Sequence, residues 1–209
     1  MNRRALLGLL LAAALTGCGS VVQNLGGEPP DLFTLTPKTS FSENLPKVTW
    51  QLVVEEPTAS GGLNTPRIAR RSDPTELAYF ANASWTDRAP EMVQTLMVES
   101  FENSGAIVAV GRKAIGLRSD YDLKSELREF QAEYDNGQGA PLIRVRLNVK
   151  LIKQPRRSIV AFENFEATQR ATGGSMEATI AAFDEALGKV LRQIVQWTLR
   201  NGQNADRPG

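Results

Sequence analysis

Histidine is absent from the 209-residue sequence, and cysteine occurs once. The first absence removes Ser-His and Cys-His dyads, histidine-ligated zinc and the usual proton shuttle near neutral pH. The second leaves no pair of thiols for an intramolecular disulfide, so stability must come from packing. Neither sign of charge dominates: 24 Lys and Arg stand against 23 Asp and Glu. That balance argues against nucleic acid as the main partner. The Gly-x-Ser-x-Gly, Ser-x-x-Lys and Gly-x-x-x-x-Gly-Lys patterns of serine nucleophiles and phosphate loops are missing. Asp120-Tyr121-Asp122 opens like a calcium loop but lacks the remaining ligands, and Glu55-Glu56 and Asp184-Glu185 read as solvated faces. No metal, no cofactor and no catalytic constellation is expected. No stretch reaches the roughly 20 apolar residues of a membrane-spanning helix.

What is present begins with that one cysteine. Arg3 and Arg4 precede an apolar run, Ala5 to Leu15, and the small residues Thr16 and Gly17 lead to Cys18. Basic head, short apolar core and small-residue exit describe a secretory leader. Leu15-Thr16-Gly17-Cys18 resembles the bacterial lipobox, which implies cleavage between Gly17 and Cys18 and acylation of the Cys18 thiol. One acyl chain binds a bilayer only marginally, whereas two or three hold stably. Gly19 stands where an aspartate would retain an enterobacterial lipoprotein at the inner membrane, which implies the periplasmic face of the outer membrane. Without the leader, the net charge is about −1.

Residues 18–31 are rich in Gly and Pro and read as a lipidated tether. Strand-type runs follow at Leu32–Leu35, Trp50–Val54, Pro66–Arg71 and Glu76–Ala81. Asp87 is a candidate helix cap, with Pro90 tolerated in the first turn. Ala89, Val93, Leu96, Met97 and Phe101 then recur at helical spacing, and Gly105 suits a left-handed end. Ala106–Val110 reads as a buried strand. The clearest β-signal is Leu142–Lys153, where Ile143, Val145, Leu147, Val149 and Leu151 alternate with Arg144, Arg146, Asn148 and Lys150. Its expected antiparallel neighbours are Tyr121–Tyr134, through a turn at residues 135–139, and Ser158–Ala171. Phe130 falls out of phase with Tyr121, Leu123 and Leu127, so either a bulge near Arg128 restores it or Phe130 lies outside. Gly173-Gly174-Ser175 reads as a turn and cap. Met176, Ile180, Phe183, Leu187, Val190, Leu191 and Ile194 then form one helical stripe, with Trp197 near its end. Residues 201–209 carry no pattern and are expected to be disordered. The fold class is α+β: a two-layer sandwich of a mostly antiparallel sheet with a long meander and two helices on one face.

In order and spacing, these residues resemble a known family. Phe33-Thr34-Leu35-Thr36-Pro37 comes first, then Leu52-Val53-Val54 with Pro57, Arg67-Ile68-Ala69, and Leu77-Ala78-Tyr79-Phe80. Ala83-Ser84-Trp85-Thr86-Asp87, Leu123 to Phe130 and the closing stretch Ala178 to Trp197 complete the set. The chain is similar, over roughly residues 30–200, to the ABC-type transport auxiliary lipoproteins, the group containing the paraquat-inducible protein C-like lipoproteins. Phe33, where Tyr is frequent, and Asn82-Ala83-Ser84, where Ala-Arg pairs are common, depart from it. The resemblance implies an accessory to a mammalian-cell-entry (MCE) type ABC system moving phospholipid or other hydrophobic molecules between the membranes. Its partners would be the MCE protein and the permease and ATPase of that system. A homo-oligomer is also possible on this reading, and the role would be docking rather than catalysis. The alternatives are a structural envelope lipoprotein and a periplasmic lipid carrier. Candidate interface residues are Trp85 and the basic face of Arg144, Arg146 and Lys150. For Trp85 the commoner reading is core closure at a strand-to-helix junction. For the basic face it is a solvated surface paired with Asp122, Glu126 and Glu129.

Overall fold

The structure is a computed structural model describing residues 29–113, 118–135 and 139–206. The leader, Cys18, nearly all of the tether and the middle of the 135–139 turn lie outside the described residues. The folded unit begins at Asp31.

Three long strands form the frame: β7 (Tyr121–Glu133), β8 (Leu142–Lys153) and β9 (Ser158–Arg170), joined as an antiparallel meander. The alternation in β8 dictates this. Ile143, Val145, Leu147, Val149 and Leu151 are all 0% exposed, so one side of the strand is fully buried. Burying each such side chain contributes roughly 1.5–3 kcal/mol. The free edge of β7 is met in succession by three short parallel strands: β2 (Val48–Val54), β3 (Thr58–Ala59) and β4 (Arg67–Arg71). Beyond them lie β6 (Ile107–Arg112) beside β2, and β5 (Ala78–Trp85) then β1 (Asp31–Phe33) beside β4. The long ladders are antiparallel and the short ones mostly parallel. The meander is as expected; the parallel entry of β2, β3 and β4 is not visible in hydrophobic periodicity. β6 differs from the buried strand expected at 106–110, because it is a sheet edge with Val108 73% exposed.

A bulge at Arg128 resolves the phase problem in β7. Leu127 faces Leu147 while Glu129 faces Arg146, so Arg128 is the extra residue and Phe130 returns to the buried side. Gln131, 1% exposed, fixes the distortion: its Oε1 accepts the Phe130 N–H at 2.9 Å and its Nε2 donates to Glu133 at 3.1 Å.

Two helices, α1 (Ala89–Ser104) and α2 (Met176–Asp206), cover the buried side of the sheet. Arg88, not Asp87, occupies the N-cap of α1, and Gly105 ends it at φ 59° with its N–H donating to Glu102 O. Ser175 caps α2 through Oγ accepting the Ala178 N–H at 3.2 Å. The α2 stripe meets the sheet through Phe183, whose ring lies 5.2 Å from Trp85 and 5.1 Å from Phe130. The stretch after β1 straps both helices: Thr36 N–H donates to Asp184 on α2 at 2.6 Å, and Lys38 N–H to Ser100 Oγ on α1 at 2.9 Å.

The expected disordered tail is corrected over residues 201–206, where α2 continues to Asp206. Tertiary contacts, not pattern, hold this last turn. Gly202 lies close against the Trp50 ring, and Tyr121 Oη donates to Asp206 Oδ1 at 2.8 Å with Gly202 O a further 3.2 Å contact of the same hydroxyl. Lys153 Nζ donates to Asp206 Oδ1 at 2.7 Å. Burial first, then Asp206, pushes the Tyr121 phenol well above the ordinary tyrosine range.

Candidate interaction surface

The side of the meander away from the helices is the open face. The Arg128 bulge decides its chemistry. Before it, the even-numbered residues Asp122, Lys124 and Glu126 face outward; after it, Glu129 and Glu133 do, with Gln131 on the same side but buried. Two carboxylates thereby arrive beside the arginines of β8. Arg144 grips Glu133 with Nε and Nη2 at 3.0 and 3.1 Å, and also pairs with Glu166 of β9. Glu129 lies 3.1 Å from Arg146 Nε and 3.9 Å from Arg144 Nε. The group is half-buried, where charge-assisted hydrogen bonds are stronger than at full exposure. Burial pushes the Glu133 carboxyl up, but hydrogen bonds from Arg144 and Gln131 and the charges of Arg144 and Arg71 outweigh it and hold Glu133 below its ordinary value. The same bonds, Glu133 first, raise Arg144.

Toward the β8–β9 turn the surface changes. Lys150 faces Lys124 on one side and Phe162 on the other, and Phe162 is 72% exposed. Lys124 pairs with Glu55 at 3.2 Å. A polar hollow of about 260 Å³ opens here between Glu55, Lys124, Glu126 and Lys150.

The four candidate interface residues therefore separate. Trp85 is 1% exposed, tilted against Phe130 and edge-on to Phe183, so it closes the core and offers no surface to a partner. Arg144 and Arg146 share one ion network. Its carboxylates are Glu129, which sequence reasoning named, and Glu133 and Glu166, which it missed. Asp122 and Glu126 turn instead to Gln154 and Arg128. The signal for Glu133 was in the sequence: a bulge that turns Phe130 inward also turns Glu129 and Glu133 outward. Lys150 is exposed and makes no ion pair among the described residues. Gly17 and Cys18 lie outside the described residues.

The sequence profile of the ABC-type transport auxiliary lipoprotein component family matches residues 33–195, nearly the whole folded unit. The chain belongs to that family. The family is described as the auxiliary lipoprotein component of ABC-type transport. The crystal structure of protein XCC0632 from Xanthomonas campestris is similar at 34% identity, covering 85% of this chain and 99% of that one, with a TM-score of 0.80. A second solved structure, of an uncharacterized protein, shares the fold at TM-score 0.63 and 14% identity, covering 81% of this chain and 99% of that one. Among curated proteins, bll6063 of Bradyrhizobium diazoefficiens is 26% identical over 83% of this chain. The chain spans about half of that relative's length, 47%. No helix among the described residues is long and apolar enough to cross a membrane.

Proposed function

We propose that the chain is a lipid-anchored auxiliary component of an MCE-type ABC system, moving phospholipid or other hydrophobic molecules between the inner and outer membranes. It acts by docking to the MCE protein or to its permease and ATPase partners. The anchor is acylated Cys18, exposed by cleavage after Gly17, and Gly19 directs the protein to the outer membrane.

The observation favouring docking over lipid carriage is the filled interior. Where a carrier would open a groove between helices and sheet, Trp85, Phe130 and Phe183 interlock, and the inward residues of β8 are fully buried. The hollows beside Lys150 and beside Asp184 instead lie at the surface and are lined mainly by charged and polar residues. Ligand sites for apolar molecules are predominantly apolar and bury most of the ligand.

Crosslinking in cells followed by affinity purification of the full chain tests the docking role. The expected result is recovery of an MCE-domain protein, and its consistent absence would sink the proposal. Bound phospholipid released from gently purified protein, seen by mass spectrometry, would favour the carrier reading. Metabolic labelling with palmitate tests the anchor: the wild-type chain takes the label, and Cys18→Ala loses both label and membrane association.

A further inference from the structure

A second register shift, at the turn end of the meander, gathers apolar side chains on the open face. Lys150 faces Phe162 and Ile152 faces Ile159. Lys150 and Ile152 are two apart on β8 and so share a face, which places Phe162 and Ile159 on that same face although they are three apart in sequence. The extra residue, Val160, absorbs the difference. Phe162 and Ile159 are 72% and 57% exposed, and they account for two of the four exposed large hydrophobic residues among those described. Cations border the patch on the turn side, while Glu55 and Glu126 share the adjoining hollow with Lys124 and Lys150. Lys124 and Lys150 stand directly opposite one another, a like-charge pairing unfavourable to folding alone. Arg156 and Arg157 are exposed in the adjoining turn. Along the same face, Arg144 and Arg146 have their carboxylates, whereas Lys150, Arg156 and Arg157 make no ion pair among the described residues.

We infer that this end of the meander is a membrane-contact site, taking an anionic phospholipid surface with Phe162 and Ile159 in the headgroup boundary and Lys150, Arg156 and Arg157 on the phosphates. An aromatic and an aliphatic side chain framed by Lys and Arg is the chemistry of an interfacial contact with anionic lipid. The inference rests on the anchor at Cys18. The stretch from Cys18 to Asp31 spans at most about 45 Å when fully extended, so the anchored domain stays close to the bilayer. At such effective concentration a contact too weak to recruit a free protein still sets the orientation of a tethered one. A domain lying on this end presents the rest of the open face and the helices to the periplasm.

The acylated mature chain, reconstituted in vesicles, allows a direct test. Acylation blocks the only native thiol, so Ile159→Cys supplies a single site for an environment-sensitive fluorophore. In vesicles of phosphatidylcholine mixed with phosphatidylglycerol the emission shifts to the blue. It stays water-like in phosphatidylcholine alone, and salt reverses the shift because screening shortens the reach of the charges. Adding Phe162→Ser or Lys150→Glu abolishes the shift while the circular dichroism spectrum is unchanged, since both side chains are exposed. Water-like emission on both kinds of vesicle would overturn the inference. So would a shift that grows with protein concentration in detergent without lipid, which would assign the patch to a second copy. Failure of the anchor reads out separately, as labelling at a second thiol.

Discussion

Neighbouring residues of β8 live in two different regimes. Toward the helices, Ile143, Val145, Leu147, Val149 and Leu151 are sealed under α2. One residue away, on the open face, Arg144 and Arg146 share a set of glutamates and Lys150 has no carboxylate partner among the described residues. The buried side is complete within the chain, because every apolar group finds others from the same polypeptide. The open side has its charges paired at the Arg144 end, although Arg146 Nε makes no hydrogen bond, and is unfinished at the Lys150 end. Where a strand's own neighbours satisfy its charges the surface serves the fold. Where they do not, the surface is available to something else, and the contrast between the two ends locates that place better than the net count of basic residues does.

The largest break in this contrast comes from the buried side. Phe183→Ala removes the ring that meets both Trp85 and Phe130, leaving a cavity that neighbouring helix and sheet cannot close. The expected loss is about 3–5 kcal/mol, read as a lower urea midpoint at unchanged slope. A loss under about 1 kcal/mol would mean that the two layers are not packed through this cluster.

A smaller effect with a telling sign comes at Gly202. In an exposed helix Gly→Ala stabilises by about 1 kcal/mol. Here a methyl group would overlap the Trp50 ring, a rigid side chain itself held against Tyr121 at 4.8 Å. Gly202→Ala is therefore expected to destabilise by about 1–3 kcal/mol. Stabilisation in thermal unfolding would show that the last turn of α2 is not seated on the sheet.

That last turn also marks how far the sequence could be read. The meander, both helices and the capping by Ser175 and Gly105 were legible, because alternation of period two and stripes of period 3.6 are direct consequences of burial on one side. The end of α2 was not, because residues 201–206 have no stripe; a glycine there reads as a breaker until Trp50, far away in sequence, is seen to need it. The joining of β2, β3 and β4 to one edge of β7 is likewise a pairing choice that side-chain pattern does not encode. On the open face the arginines were legible and their main partner was not. Finding Glu133 required carrying the Arg128 bulge from Phe130 through to the opposite side of the strand.

Breaking the finished end of the open face should cost less than breaking the core. Arg144→Met strands Glu133 and Glu166 in half-buried positions, with an expected loss of about 1–2 kcal/mol near neutral pH, since partial exposure screens the pair. The pH dependence checks the cause. Glu133 holds its proton less tightly folded than unfolded, so its contribution is full above the ordinary glutamate value of 4.5 and disappears as pH falls through the lower folded value. The wild-type protein should lose stability over that acid range more steeply than Arg144→Met, and parallel profiles would remove Glu133 from the account.

The smallest effect on folding belongs to Lys150, and its smallness is informative. Lys150→Ala deletes an exposed side chain without an ion partner and relieves the repulsion from Lys124, so the urea midpoint should move by no more than about 0.5 kcal/mol equivalent, and toward greater stability. The same change should weaken contact with anionic vesicles. A residue that lowers contact while leaving stability untouched belongs to a surface built for something outside the chain. If Lys150→Ala instead cost as much as Arg144→Met, the two ends of the open face would be alike, and the basic residues of β8 would all be holding the sheet together.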